Sequence, residues 1–204
     1  MKKLPVEVFS DWAESGKDHG MEKNHLESVN NMLDFATKGL NGFSSIDAGC
    51  GNGWVVRKLA QLPNCSLAFG VDGSQKMIAK AQSIDPQNDY IYSDLGKWKP
   101  KKKVDLVHSM EVFYYLEKPE ALIQNIYSNW LKESGRLIIG LDFYYENTIS
   151  HTWSEECGIS IMKLFPEKEW IGFFGSAGFK NIQSWRVGAK ENWEGTLVVT
   201  GTKS

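Results

Sequence analysis

Three glycines, at 49, 51 and 53, follow a short apolar run that contains Asp47, and an amphipathic segment starts at once with Trp54. Glycine lets the backbone take conformations closed to other residues and lets a ligand come close to the main chain. The segment behind the turn brings a helix N-terminus, whose first N–H groups have no partner inside the helix. A second acid, Asp72, ends the next apolar run, 66–72. Turn, helix start and an acid at the following strand tip form a nucleoside-binding constellation, with the acid placed to accept from ribose hydroxyls. The dinucleotide pattern G-x-G-x-x-G would need glycine at 54, where Trp54 stands.

The elements that must hold these residues alternate regularly from position 44. Strands are expected at 44–49, 66–72, 89–93, 104–110 and 136–143. Helices are expected at 52–62, at 74–83 with Ser74 as N-cap, and at 119–131 with Pro119 in its first turn and Gly135 as its stop. Such alternation means βαβ units and a parallel sheet. Right-handed crossovers then put the ligand at the C-terminal strand ends. Before position 42, Leu26, Val29, Leu33, Ala36 and Leu40 recur at helical spacing, preceded by a mixed polar and aromatic stretch, 9–21, that reads as a short helix and a loop over the ligand mouth. After position 143 the chain is aperiodic to 164. A helix over 166–177 and two strands, 182–187 and 196–202, follow, and the two strands read as a hairpin.

At 204 residues and 42% hydrophobic composition, the chain suffices for one packed α/β domain. A net charge of −2 argues against nucleic acid as an obligate partner. The odd count of three cysteines, one of them inside the glycine turn, points to reduced thiols and a cytoplasmic setting. No signal segment and no apolar stretch of membrane-spanning length is present.

The spacing D-x-G-x-G-x-G over 47–53, together with Asp72, resembles the first motif of class I S-adenosylmethionine (SAM) dependent methyltransferases. From about Ser44 to Phe143 the chain is similar to their small-molecule, type 11-like group. The resemblance implies a doubly wound, seven-stranded, mostly parallel sheet of Rossmann-like type with an antiparallel C-terminal hairpin. One domain would then comprise a helical lid (1–42), a SAM-binding core (43–143) and a substrate-side segment with the hairpin (144–204). By the same resemblance Asp47, Gly49, Gly51, Asn52 and Gly53 hold the methionine part of SAM. Asp72 holds the ribose, with Gly73, Ser74 and Met77 beside the adenosine. Ser93, Asp94 and Leu95 meet the adenine, and Ser109, Met110 and Tyr114 lie beneath the sulfonium in a fourth motif running to Leu116. Related members often carry histidines where Tyr114 and Tyr115 stand.

Methyl transfer needs alignment and dryness and no metal, and a general base helps only a protonated acceptor. His19, His25, His151, Glu111, Asp142 and Tyr114 are the candidate bases. His151, in the aperiodic stretch behind a strand end, is favoured, with Tyr114 and Glu111 beside it as catalytic candidates. Trp12, Tyr115, Tyr144 and Trp153 are expected at the acceptor, where flat π-faces suit a cationic or planar molecule. The expected function is methyl transfer to a small-molecule amine, hydroxyl or ring, with S-adenosylhomocysteine as product, by a monomer or homodimer. Two rivals stand beside it. One is a protein or RNA methyltransferase using the lysine run 97–103, although that run precedes a strand and so falls at the opposite sheet edge. The other is a catalytically silent SAM-binding partner.

Overall fold

Short runs rich in β-branched and aromatic residues become strands because their alternate side chains find apolar layers on both sides. In the computed structural model, which describes residues 2–204, they form one seven-stranded sheet. The strands are β1 (Phe43–Ala48), β2 (Cys65–Asp72), β3 (Asp89–Tyr92), β4 (Val104–Met110), β5 (Leu131–Leu141), β6 (Lys180–Val187) and β7 (Thr196–Thr202), in the order β3-β2-β1-β4-β5-β7-β6. The first five are parallel, and β7 runs antiparallel between β5 and β6. This is the doubly wound sheet with an antiparallel end that the sequence predicts.

Neighbouring residues along each strand serve opposite layers. On β4, Leu106 joins one core and Val107 the other, and on β5 Ile138 stands against Leu137 and Ile139. One layer is covered by α2 (His19–Ala36), α3 (Trp54–Ala60) and α4 (Gln75–Ile84). The other is covered by α5 (Pro119–Asn125) and α7 (Glu167–Ala177), where Trp130, Trp170 and Phe174 are fully buried. Helix α1 (Pro5–Ser15) and the short α6 (Trp153–Glu156) lie at the carboxyl edge of the sheet, the edge that carries the glycine turn. Ser74 caps α4 as expected, its Oγ accepting from Met77 N–H at 3.2 Å. Among the described residues no helix is long and apolar enough to cross a membrane.

Two boundaries differ from the sequence reading. The helix expected over 119–131 ends at Asn125 and widens into a π-turn, Ile126–Trp130. That wide turn sinks the Trp130 indole, whose N–H donates to the Trp98 carbonyl at 3.1 Å. Strand β5 then starts at Leu131, and its pairing with β4 is irregular around Ser134 (φ 65). Gly135 therefore sits inside a distorted strand rather than at a helix stop, and a Cβ there would lie 2.8 Å from the Lys132 carbonyl oxygen. Helix α2 also begins seven residues before Leu26, because the face that packs on the sheet (Val29, Met32, Leu33, Ala36) leaves its first turns free to reach elsewhere.

Phe174 is fully buried among Phe179 and the aromatic layer of α7. Phe174→Ala should cost about 3–5 kcal/mol. Urea unfolding should show this as a lower midpoint with an unchanged slope.

Candidate active site

Strand β1 ends at Ala48 and the chain turns through Gly49 (φ 77), Gly51 (φ 52) and Gly53 (φ 81). A side chain at Gly49 would overlap Val112, and one at Gly53 would overlap the Tyr90 ring, so space and dihedral angle both require glycine at these two positions. The turn is fastened to the next strand tip by Asp72. Gly51 N–H donates to Asp72 Oδ2 at 2.9 Å and Ser74 N–H to Oδ1 at 2.7 Å. Each oxygen keeps a further lone pair for hydroxyls. Burial pushes the Asp72 carboxyl up, the two N–H groups hold it back, and Asp47 adds to the rise. A cradle of close backbone with one acid beside it fits a nucleoside such as SAM.

This turn opens on a cavity of about 720 Å³ at the carboxyl edge of the sheet. Small-molecule sites run from roughly 300 to 1,000 Å³. Of the residues expected at the cofactor, Gly49, Gly51, Asp72, Gly73, Met77, Asp94, Leu95, Met110 and Tyr114 line it. Of those expected at the acceptor or in catalysis, Trp12, Tyr115, Trp153 and Glu111 line it. Phe9 and Trp12 of α1 roof the mouth. The roof is stitched down by Lys3 N–H to the Gly158 carbonyl (2.9 Å) and Ser160 N–H to the Lys3 carbonyl (2.8 Å).

The remaining predicted residues are engaged elsewhere, outside the cavity wall. Buried Asp47 pairs with His108 Nδ1 at 2.7 Å. Asn52 Nδ2 donates to buried Asp18 (2.9 Å), which also takes Lys80 Nζ (2.6 Å), tying the loop before α2 to the glycine turn. Ser74 caps its helix and shares a 2.8 Å bond with Ser10. Ser93 N–H donates to the Asp72 carbonyl and Ser109 Oγ to the Ala48 carbonyl, so both act as strand-end fasteners. Tyr144 is buried, its hydroxyl donating to the Gly195 carbonyl at 2.8 Å. His151, the favoured base, is not at the site. Its Nε2 lies 2.9 Å from the Tyr145 carbonyl and its ring lies beside exposed Tyr145. The lysines at 97, 99 and 101–103 are exposed in the loop that enters β4, at the sheet edge opposite the cavity.

The titratable groups gathered in the cavity wall are different ones. Glu111, just past β4, holds a left-handed backbone (φ 60), a strained state for a bulky residue. Its carboxylate accepts from the Asp142 N–H and from the Tyr114 hydroxyl. Asp142, one residue past β5, has Oδ2 3.5 Å from His25 Nδ1, while its buried Oδ1 has no hydrogen-bond partner. His25 and Asp142 were two candidates among six in the sequence. What selects them is that the free first turns of α2 carry His25 to the tips of β4 and β5, which local pattern does not reveal. Burial pushes Glu111 well up, aided by Asp142. Burial also raises Asp142 and lowers His25, with each partner's charge opposing the other's shift. The Cys50 thiol, buried beneath the turn, is likewise pushed well up by burial.

Residues 11–184 match the family model of the methyltransferase domain. The chain is 34% identical over 112 residues to the malonyl-[acyl-carrier protein] O-methyltransferase of Halalkalibacterium halodurans, covering 50% of this chain and 41% of that protein. It is 25% identical over 148 residues to the trans-aconitate 2-methyltransferase of Klebsiella pneumoniae, covering 70% and 58%. The matched stretch thus spans about half the length of these curated relatives. Among solved structures, the methyltransferase bound to the Trm112 methyltransferase activator of Haloferax volcanii superposes with a TM-score of 0.84 at 27% identity, covering 95% of this chain and 96% of that one. The SAM-bound magnesium protoporphyrin IX methyltransferase of Synechocystis has the same fold, with a TM-score of 0.67 at 22% identity over 90% of this chain and 82% of that one.

Glu111 gives a pH test. A free glutamate titrates near pH ~4.3, and the folded value lies well above its usual one. The folded state then keeps a proton that the unfolded chain has lost, so this group's contribution to stability falls as pH rises through the elevated value. Glu111→Gln removes that fall. Its unfolding midpoint relative to wild type should climb with pH and stay level below the ordinary carboxylate range. A gap that does not change with pH would contradict the shift.

Proposed function

The chain belongs to the class I SAM-dependent methyltransferases, whose cofactor is SAM, and from that premise we propose that it methylates a small-molecule acceptor in the cavity behind the glycine turn. The observation that carries this reading is one cavity lined both by the glycine cradle and by aromatic and titratable side chains. Bound SAM supplies a methyl carbon already activated by its sulfonium. The protein has then to hold, align and keep dry. In this reading the Gly49–Gly51 backbone receives the methionine tail and Asp72 accepts from the ribose hydroxyls. Met77, Asp94 and Leu95 border the adenine. Met110 and Tyr114 lie under the reacting carbon, and Trp12, Tyr115 and Trp153 close around the acceptor. Residues 2–42 act as a lid, fastened through Asp18 and Lys3.

A second reading has specific support. The structural relative from Haloferax volcanii is held in a complex with a methyltransferase activator. A chain of this shape working with such a partner on a macromolecule would transfer label to protein or RNA instead. A silent SAM-binding subunit would transfer none.

Two measurements test the proposal. Asp72→Ala should weaken SAM binding by about 1–3 kcal/mol in calorimetry, since ribose hydroxyls lose their acceptor; unchanged affinity would remove Asp72 from the ribose. Incubation with tritiated-methyl SAM and fractionated cell extract should place label in the small-molecule fraction. Label confined to RNA or protein would favour the activator-dependent reading.

A further inference from the structure

We infer that the acceptor is an amine, which enters as an ammonium, is gripped by Asp142 and loses a proton to His25. The inference rests on the small-molecule reading above and narrows it to one chemical class. Asp142 is 6% exposed and lines the cavity, and its buried Oδ1 has no hydrogen-bond partner. Thr196, whose hydroxyl shares a 2.7 Å bond with Ser28, lies beside the same carboxyl and lowers its pKa. A buried carboxylate oxygen left unpaired is costly unless a donor arrives. A donor entering from the cavity would offset that cost, and a cation offsets it best.

The surroundings select the sign of that ligand. Glu111 stands beside Asp142, and the ligating atoms of Glu111, Asp142 and His25 all lie within 4.8 Å of one another. Among the described residues of the wall, Lys17 is the one permanent cation, and it neighbours Cys157. An acidic acceptor would find no second cation there and could meet the two carboxyl groups only in their protonated forms. An ammonium meets Asp142 directly and the faces of Tyr114 and Tyr115 beside it. Its charge also draws the Asp142 carboxyl back down into the ionised form. The chain would therefore differ from relatives named for acidic acceptors, trans-aconitate and malonyl-[acyl-carrier protein]. The same three residues offer one ligand atom each to a metal ion, and the EDTA arm of the test below separates that ligand from an ammonium.

His25 completes the chemistry. Its Nδ1 is 3.5 Å from Asp142 Oδ2, an ion-pair distance longer than a hydrogen bond, so the ring is held near the carboxylate and remains open to a proton. Burial lowers its pKa, against the opposing pull of Asp142. Asp142 from the tip of β5 and Glu111 from the segment after β4 stand against it, and Lys17, Asp72, Asp94, Cys157 and the phenols of Tyr92, Tyr114 and Tyr115 share the cavity wall. The ammonium N–H proton passes to the imidazole, which exposes the nitrogen lone pair. The nitrogen–carbon bond forms as the carbon–sulfur bond breaks, its electron pair stays on sulfur, and the imidazolium later releases its proton to solvent.

The test uses the full chain saturated with S-adenosylhomocysteine, titrated by calorimetry with arylalkylamines and with arylalkanoates of matched length. The amines should bind at least tenfold more tightly than the acids, and Asp142→Asn should erase most of that preference. With tritiated-methyl SAM and the best-bound amine, His25→Gln should lower kcat/KM at least tenfold at pH 7. The deficit should close as pH rises toward the amine's own pKa, while SAM affinity stays as in wild type. That rescue by alkali separates a proton acceptor from a residue that only shapes the pocket. Tighter binding of the acids, binding of neither series, an amine preference that survives Asp142→Asn, or binding that EDTA abolishes would each overturn the inference. Label found only in macromolecules would sink the small-molecule reading alone, because the amine preference is measured without turnover.

Discussion

One carboxylate fastens the tips of two neighbouring strands, and the rest of the site is arranged around it. Asp72 takes the Gly51 N–H on one oxygen and the Ser74 N–H on the other. Without that clamp, a turn with three left-handed residues in five would have little to hold its shape, since glycine loses more conformational freedom on folding than any other residue. The clamp also fixes the backbone of Ser74 at the start of α4, the helix that its side chain caps. It also explains why Asp72 tolerates partial burial: two charge-assisted donors offset part of the desolvation.

The acceptor end is built on a different principle. It depends on side chains from three distant parts of the chain meeting at the tips of β4 and β5, and it stores strain. Glu111 is held at φ 60 because its two oxygens are needed in two places, on the Asp142 N–H and on the Tyr114 hydroxyl. Strain of this kind persists only where the surroundings over-determine it, and such sites are commonly functional. Here it locks the backbone of Asp142 and the Tyr114 ring, two walls of the acceptor end, to a single carboxylate.

The glycine turn and the acid at the next strand tip were legible in the sequence because they are local. Gly49, Gly51, Gly53 and Asp72 lie within 24 residues and obey rules of turn conformation and strand tips. The parallel sheet followed because the alternation of apolar runs and helical segments is regular from position 44. Three things escaped. The π-turn at 126–130 depends on where the Trp130 indole finds its acceptor, a tertiary fact. Asp47, Asn52 and Ser109 sit in the motif yet turn to His108, Asp18 and the Ala48 carbonyl, and spacing does not say which way a side chain points. His25 was one histidine among four, and a sequence gives no reason to prefer a helix start over a loop near a strand end. The loop was the better local argument, and the path of α2 over the sheet edge overruled it.

The contrast between the two halves bears on how far similarity reaches. A TM-score of 0.84 at 27% identity means that the backbone persists while most side chains have changed. A cradle of main-chain atoms, a few glycines and one acid survives such change with its ligand intact, because the ligand meets mainly backbone. A pocket made of His25, Glu111, Asp142 and aromatic rings does not, because reversing one charge reverses the sign of the molecule it admits. The cofactor is therefore inherited with the fold, and the acceptor has to be read from this chain's own buried charges.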